Sequence, residues 1–330
     1  MSFQIVIPTR DGGRWLAQFL AAYRTMHIEP LYIVDSRTND NSISLLEELG
    51  ANFRVFDGTA DFVEGGALEF ASRCMPESCE WTLRIDDDEF PSKALLDWVA
   101  GDQKEKATSW ALSRRDILRD GAAYAYSRYW SLYGSAEMPD YVNPQVRLYK
   151  HAHVKYYELI HSPGFIQGKY YYMPPDTYVM HFDVLLRDVN ERIEKLRKYE
   201  SARKGSSWKY GNHYLPEIVP REHNDPAPLG TSEFDQLIAS LPLKPEADEV
   251  TFKTHELRQI RFGAFDRKAH EDAIAAHKQS VQGPASKRGG EFLCTLARVL
   301  ARLPGTTWVA DQLHAIGDGL QFRSRMRKSI

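Results

Sequence analysis

The sequence predicts an α/β fold in which a mainly parallel central sheet is flanked by helices, with a helical C-terminal extension. Within the first hundred residues, four short apolar runs alternate with four segments whose apolar residues recur at helical spacing. Repeated strand–helix units of this length are typical of a parallel sheet covered by helices. The composition agrees, because 43% hydrophobic and 26% charged residues in 330 describe a globular chain and exclude collagen-like, coiled-coil and disordered classes.

The four units follow one another closely. The predicted strands, in chain order, are Phe3–Ile7, Leu31–Val34, Asn52–Phe56 and Trp81–Ile85. The predicted helices that follow them are Trp15–Tyr23, Leu45–Leu49, Phe62–Met75 and Leu95–Val99. Gly50 stands where the second helix should end, which is a position that favours glycine.

The pattern changes after residue 107. Runs rich in Tyr, Trp and Val predict further strands, near Thr108–Ser113, Ala122–Tyr133, Gln145–Tyr149, Val154–Leu159 and Tyr178–Phe182. A helix is predicted over Leu185–Ala202, and Pro, Gly and Asn then predict loops over 205–231. Short helices are predicted at Glu233–Ser240, Asp266–Lys278 and Glu291–Leu303. We therefore predict one domain over 1–204 and a loop-rich, helical region over 205–330.

Four consecutive carboxylates, Asp86 to Glu89, directly follow the fourth predicted strand. Ligands of open α/β sheets bind at the carboxyl ends of strands. Clustered negative charges repel one another, and a divalent cation bridging to a diphosphate would compensate them. The alternative is an acidic turn that caps the helix beginning near Ser92.

The first two strands end in polar residues as well. Thr9-Arg10-Asp11-Gly12-Gly13 follows the first strand, and a polar segment from Asp35 to Ser42 follows the second. The phosphate-binding patterns G-x-x-x-x-G-K-[ST] and G-x-G-x-x-G are missing, which argues against a P-loop or dinucleotide-binding site. The net charge of -3 gives no reason to expect nucleic acid as a partner.

Three segments together resemble a known family. Ile7-Pro8-Thr9, then Val34-Asp35 with Thr38-Asn39-Asp40, then Ile85 to Glu89 resemble the strand ends of GT-A glycosyltransferases, particularly family-2-like enzymes with an Asp-x-Asp-Glu motif. The resemblance covers roughly residues 3 to 200. It implies a GT-A fold and an inverting, metal-dependent transfer of sugar from a nucleotide-sugar to a hydroxyl of a bacterial surface-glycan acceptor. The implied cofactors are Mn²⁺ or Mg²⁺ and a nucleotide-sugar donor, with a UDP-sugar as the first choice.

The resemblance also implies roles for individual residues. The implied donor-binding residues are Thr9, Arg10, Asp35, Asp86, Asp87 and Lys195. The implied metal ligands are Asp86, Asp88 and His181, with Asp88 as the principal one. Simpler interpretations stay open for three of these residues: Asp35 as a turn former, His181 as a buried core histidine and Lys195 as part of a solvated helix face.

An inverting transfer needs a base that deprotonates the acceptor hydroxyl. The resemblance directs attention to the segment Tyr157 to Pro163, where related enzymes carry a His-Glu pair. Glu158 is the first candidate, His161 the second and Asp140 the third. Two other functions remain open: a sugar nucleotidyltransferase, and a non-catalytic carbohydrate-binding or scaffold protein with the same fold.

The C-terminal tail is basic. The segment from Lys287 to Ile330 contains eight basic and three acidic residues, and apolar residues recur at helical spacing over Phe292–Leu303. This pattern is compatible with peripheral contact at an anionic inner membrane face, where a lipid-linked glycan would be the acceptor, or with a solvated helix. The start shows no signal peptide, no uncharged run reaches the roughly 18 residues of a membrane span, and three cysteines cannot form a disulfide framework. We therefore predict a cytoplasmic protein.

Overall fold

The computed structural model describes residues 3–58, 64–120, 123–128, 142–156, 165–166, 170–202, 214–216, 226–229, 232–244 and 296. The strands there are β1 (Phe3–Thr9), β2 (Leu31–Asp35), β3 (Phe53–Phe56), β4 (Trp81–Arg84), β5 (Glu89–Pro91), β6 (Ser109–Asp120), β7 (Ala123–Ser127), β8 (Gln145–Lys150), β9 (Lys155–Tyr156), β10 (Phe165–Ile166), β11 (Tyr171–Tyr172), β12 (Tyr178–His181) and β13 (Pro226–Pro228). The α-helices are α1 (Leu16–Thr25), α2 (Ser42–Glu48), α3 (Glu64–Cys74), α4 (Lys93–Ala100), α5 (Asp183–Leu186), α6 (Val189–Ala202) and α7 (Asp235–Ser240).

The first half of the sheet is parallel, as predicted. β1 lies between β2 and β4, and β3 pairs with β2 at the edge, all in parallel. β1 and β2 are almost entirely buried, whereas β3 is half-exposed, as expected of an edge strand. Gly50 follows α2 with a φ of +57°, a conformation that glycine adopts without strain.

The second half of the sheet is largely antiparallel, so the sheet is mixed rather than mainly parallel. β8 pairs antiparallel with both β4 and β6, and β7 pairs antiparallel with β6 and β13. β6 ends at Asp120 and β7 begins at Ala123, and so short a connection is possible only between antiparallel strands. The α/β class with flanking helices is confirmed.

β12 enters the sheet beside β6 and carries a residue of the site. Its pairing with β6 is parallel and places His181 opposite Asp116. Its pairing with β5 is antiparallel and places the same histidine opposite Glu89. The register of β12 therefore brings a histidine between two acidic residues that are far from it in sequence.

The predicted helix Leu185–Ala202 is two helices. α5 ends at Leu186, and the backbone of the next residue, Arg187, is extended, with φ of -118° and ψ of 135°. α6 then begins with a reciprocal cap, because the Glu191 amide donates to the Asp188 carboxylate and the Asp188 amide donates to the Glu191 carboxylate, both at 2.9 Å. The sequence contains this capping box as Asp-x-x-Glu, but the apolar spacing continues across it and predicts a single helix.

Aromatic residues join the helices to the sheet. Phe19 of α1 packs against Phe90 and Phe182, and Phe234, just before α7, contacts both of these rings. Residues 232–244 therefore contribute to the same core as the first two hundred, and the predicted division at residue 204 stays a prediction. Most of the predicted C-terminal extension, including the predicted helices Asp266–Lys278 and Glu291–Leu303 except helical Leu296, lies outside the described residues. Among the described helices none is long and apolar enough to cross a membrane.

Candidate active site

The loops after β1 and β4 meet at one edge of the sheet. The buried Thr9 hydroxyl donates to a carboxylate oxygen of Asp87. Gly12 makes this contact possible, because a Cβ there would lie 2.7 Å from both Asp87 Oδ2 and Thr9 Oγ1. Two of the predicted donor-binding residues are thus in direct contact.

The loops after β1 and β2 are tied together as well. The Asn39 amide donates to Asp11 Oδ1, and the Gly13 amide donates to Asp40 Oδ2, each at 2.7 Å. Asp35, at the end of β2, is buried and accepts from the Arg37 amide at 2.9 Å, so it does form the turn that its sequence context allows. Arg10 reaches to 3.8 Å from Asp35 Oδ2, which brings two further predicted donor-binding residues together.

Asp86 is held by arginines. Arg147 of β8 donates to both of its oxygens, at 2.8 and 3.0 Å, and Arg84 Nη2 donates to Oδ1 at 3.0 Å. Burial alone would raise the pKa of Asp86, but Arg147 and Arg84 outweigh it and hold that pKa well below its usual range. The structure thus places Asp86 in an ion-pair network, and its role as a metal ligand stays a prediction.

Glu89 belongs to the same ion-pair network as Asp86 and Arg147. It is fully buried, accepts from Arg147 Nη2 at 2.7 Å, and accepts from the Asp86 amide at 2.9 Å. Burial raises the pKa of Glu89 despite the nearby guanidinium groups.

Ser92, not the acidic run, caps α4 by accepting from the Leu95 amide at 3.1 Å. The carboxylates therefore do not serve as the helix cap.

Asp88, His181 and Asp183 form a second buried cluster. One ligand-type atom of each lies within 4.8 Å of the others. His181 Nε2 is 3.3 Å from Asp88 Oδ1, and His181 Nδ1 is 2.5 Å from Asp116 Oδ1. Asp88 and His181, two of the predicted metal ligands, thus lie side by side, and their role as ligands stays a prediction. Asp183 and Asp116 were not singled out from the sequence, although His181-Phe182-Asp183 at a strand end is a readable signal.

Two cationic side chains form ion pairs with the carboxylates of this cluster. Arg187 donates to Asp88 Oδ2 at 2.8 Å and also to Asp183, while its guanidinium lies 4.6 Å from the Trp15 ring centroid. Lys195 donates to Asp183 Oδ1 at 2.6 Å, with Asp88 Oδ2 at 3.8 Å. Lys195 therefore belongs to the site, and it does not project from a solvated helix face.

The pKa values follow from these contacts. Burial and Arg114 would lower the pKa of His181, but Asp88 and Asp116 outweigh them and raise it to about 9. Burial would raise the pKa of Asp183, but Lys195 and Arg187 bring it to about 2. Burial and the neighbouring Asp88 raise the pKa of Asp87 to about 7.

The donor set of the cluster suits a hard divalent cation. Two carboxylates and an imidazole are ligands that Mn²⁺ and Mg²⁺ accept. Asp183 Oδ2 is buried and has no hydrogen-bond partner among the described residues, which is costly unless a ligand takes it. Asp116 contacts the other ring nitrogen of His181, as the supporting partner of a metal-bound histidine commonly does. The residues present therefore fit a divalent cation.

The three candidate bases, Glu158, His161 and Asp140, lie outside the described residues. Their assignment stays a prediction.

No protein-family model and no curated protein sequence matches the chain. Among solved structures, S. aureus TarS 1-349 is similar over 100% of this chain and 92% of its own, with 13% identity and a TM-score of 0.40. The complex of S. aureus TarS 1-349 with UDP-GlcNAc covers 99% and 92%, with the same identity and TM-score. A 4-diphosphocytidyl-2C-methyl-D-erythritolsynthase from Anaerococcus prevotii DSM 20548 covers 46% and 71%, with 15% identity and a TM-score of 0.30. The chain itself is an α/β protein whose mixed central sheet is flanked by helices.

Proposed function

We propose that this protein is a metal-dependent glycosyltransferase that moves a sugar from a nucleotide-sugar, with a UDP-sugar as first choice, to a hydroxyl of a bacterial surface glycan. One observation carries the proposal: Asp88, His181 and Asp183 form a buried ligand set, and within the described part of the chain Asp183 Oδ2 has no hydrogen-bond partner. This set adjoins Asp87, which contacts Thr9 where β1 ends, so it shares the strand-end edge at which α/β sheets bind ligands.

The chain's residues have distinct tasks in this reaction. Asp88, His181 and Asp183 would hold the divalent cation, which supplies positive charge to the departing diphosphate. Asp116 contacts His181 Nδ1 at 2.5 Å and so keeps Nε2 directed toward Asp88. His181 ligates only when Nε2 is free of its proton. Asp35 and Thr9 would contact the nucleoside.

The bond changes are those of a single displacement. The base takes the proton of the acceptor hydroxyl while the acceptor oxygen bonds to the anomeric carbon, and the bond from that carbon to the diphosphate breaks with inversion. Glu158 is our first choice for the base, before His161 and Asp140. We expect Glu158→Gln to lower turnover about 10²–10⁴-fold, which is far more than it lowers donor affinity. Full turnover in this variant together with an inactive His161→Ala would assign the base to His161.

A donor screen tests the proposal. The purified chain is incubated with UDP-, GDP- and CMP-sugars, with Mn²⁺ or with EDTA, and release of each nucleotide is measured. We expect Mn²⁺-dependent release of one nucleotide that Asp88→Asn abolishes. Asp97→Asn is the matched control, because Asp97 is exposed and pairs only with Lys93 among the described contacts. Absence of nucleotide release and of nucleotide binding would overturn the proposal.

The same screen separates the other two functions. Formation of pyrophosphate from a nucleoside triphosphate and a sugar phosphate would identify a sugar nucleotidyltransferase. Binding of Mn²⁺ and UDP without any turnover would identify a carbohydrate-binding or scaffold protein.

We also propose a cytoplasmic location with peripheral contact at the inner membrane face, where a lipid-linked glycan would be accessible. The tail from Lys287 to Ile330 carries a net charge of +5, from eight basic and three acidic residues. Each Lys or Arg near an anionic surface contributes about 1 kcal/mol of binding. We expect the full chain to sediment with anionic liposomes at low salt, and a chain truncated before Lys287 to stay in the supernatant. Equal sedimentation of the two would refute the contact.

A further inference from the structure

The second cluster already balances its own charge. Asp88 and Asp183 supply two negative charges, and Arg187 and Lys195 supply two positive ones beside them. Arg187 and Lys195 both contact Asp88 and Asp183, which are two of the three residues that fit a divalent cation. Arg187 and Lys195 therefore already neutralise the carboxylate charges that a metal ion would neutralise.

These two cations are more accessible than the carboxylates that they hold. Arg187 and Lys195 are 18% and 20% exposed, whereas Asp88 and Asp183 are 7% and 1% exposed. Each cation also lies over an aromatic ring, Arg187 over Trp15 at 4.6 Å and Lys195 over Tyr214 at 4.7 Å. A cation–π contact of this kind can keep a long side chain at the site after its ion pair breaks.

A divalent cation cannot simply be added to this arrangement. Asp88 Oδ2 accepts from Arg187, and Asp183 Oδ1 accepts from Lys195, whereas Asp183 Oδ2 accepts no hydrogen bond from any residue that the structure describes. Two more positive charges beside Arg187 and Lys195 would be strongly unfavourable at a buried site. A diphosphate would remove the conflict, because it offers the displaced cations charge-assisted hydrogen bonds.

We propose that Arg187 and Lys195 are exchangeable counter-ions, which hold Asp88 and Asp183 in the free protein and turn to the diphosphate when a divalent cation takes these carboxylates. The inference rests on the proposed function. It makes metal and nucleotide binding interdependent through named side chains, and thermodynamic linkage requires the coupling to be equal in both directions.

The first measurement is Mn²⁺ binding without nucleotide, followed by the electron paramagnetic resonance signal of free Mn²⁺. In the natural chain, we expect UDP to tighten Mn²⁺ binding about 5–150-fold. We expect Arg187→Gln and Lys195→Gln to bind Mn²⁺ without UDP about 10-fold more tightly than the natural chain. In both variants, UDP should then tighten Mn²⁺ binding less than it does in the natural chain. Arg197→Gln and Lys198→Gln are the matched controls, because both are exposed residues of α6, the helix that carries Lys195. The controls should bind Mn²⁺ like the natural chain.

The second measurement is UDP binding in EDTA, by calorimetry. Asp183→Asn removes a partner of both cations, so we expect it to tighten metal-free UDP binding about 10-fold. If this gain comes from released cations, it should vanish when Asp183→Asn is combined with Arg187→Gln and Lys195→Gln. If it comes only from lost repulsion between carboxylate and phosphate, it should persist in the combined variant.

The outcomes separate the two proposals. Suppose that the natural chain binds both Mn²⁺ and UDP. The exchange is then overturned, and the proposed function still stands, if neither cation variant binds Mn²⁺ more tightly or if the gain in UDP binding persists in the combined variant. Binding of neither Mn²⁺ nor UDP would overturn both. Lys195→Gln carries the test if Arg187→Gln does not fold, because Lys195 donates one hydrogen bond to these carboxylates whereas Arg187 donates two.

Discussion

Arg147 is the side chain on which the folded carboxylate motif depends most directly. Its guanidinium is 1% exposed and donates three hydrogen bonds, two to Asp86 and one to Glu89, at 2.7 to 3.0 Å. Arg147→Met keeps much of the side-chain volume and removes the charge. It leaves a fully buried glutamate and a 27% exposed aspartate without their main partner.

The expected cost is large. Breaking a buried ion pair by removing one partner costs about 3–5 kcal/mol, because the remaining charge stays buried. Summing three charge-assisted bonds at about 1.5–3 kcal/mol each would overestimate the cost, since the bonds share one guanidinium. We therefore expect the free energy of unfolding to fall by about 3–5 kcal/mol.

Urea unfolding at pH 7, followed by tryptophan fluorescence, measures this cost. Arg54→Met is the matched control, because Arg54 is also a strand arginine but is exposed on β3. The deficit should shrink as the pH falls toward 4, because the unpaired Asp86 and Glu89 then gain protons in the variant. The natural chain behaves in the opposite sense at Asp86: its depressed pKa contributes stability above the ordinary aspartate pKa of about 3.9, and this contribution is lost as the pH falls further. A loss below about 1 kcal/mol at pH 7, equal to that of Arg54→Met, would refute the ion-pair reasoning.

Three further predictions concern stability. His181→Gln should lower the free energy of unfolding by about 3 kcal/mol at pH 6, because a folded-state pKa of about 9 stabilises the protonated histidine fully below 6.5. This loss should disappear as the pH rises through 9. A loss that does not change between pH 6 and 10 would contradict the prediction. Gly12→Ala should cost about 1–3 kcal/mol in urea, because the new Cβ displaces its neighbours, whereas Gly101→Ala meets only backbone atoms at 3.4 Å or more and should be nearly neutral; equal effects would argue against the crowding. Asp188→Ala should cost about 0.5–2 kcal/mol through loss of the cap, with Asn190→Ala as the exposed control in the same turn, and an unchanged urea midpoint would rule the cap out.

The sequence predicted the parallel half of the sheet because its signals are local. Apolar runs and helical spacing place β1 to β4 and α1 to α4, and chain direction alone brings the carboxyl ends of parallel strands to one edge. The order of residues was therefore enough to predict that Thr9, Asp35 and the acidic run after β4 share one site. The capping signal at Asp188 is equally local, but the apolar spacing continues through it and by itself predicts one uninterrupted helix.

Only the tertiary structure decided which carboxylate faces which cation. Asp86 meets Arg147 across 61 residues, and Asp88 meets Arg187 across 99. His181 lies beside Asp116 through the register of β12 on β6. These partners depend on strand order and register, which arise from packing of the whole chain and leave no trace in the spacing of either residue's neighbours. The sequence alone thus determined that four carboxylates stand at a strand end, while the fold divided them into an arginine-bound pair, a threonine-bound Asp87, and an Asp88 that joins a histidine and a second aspartate in a set fit for a metal ion.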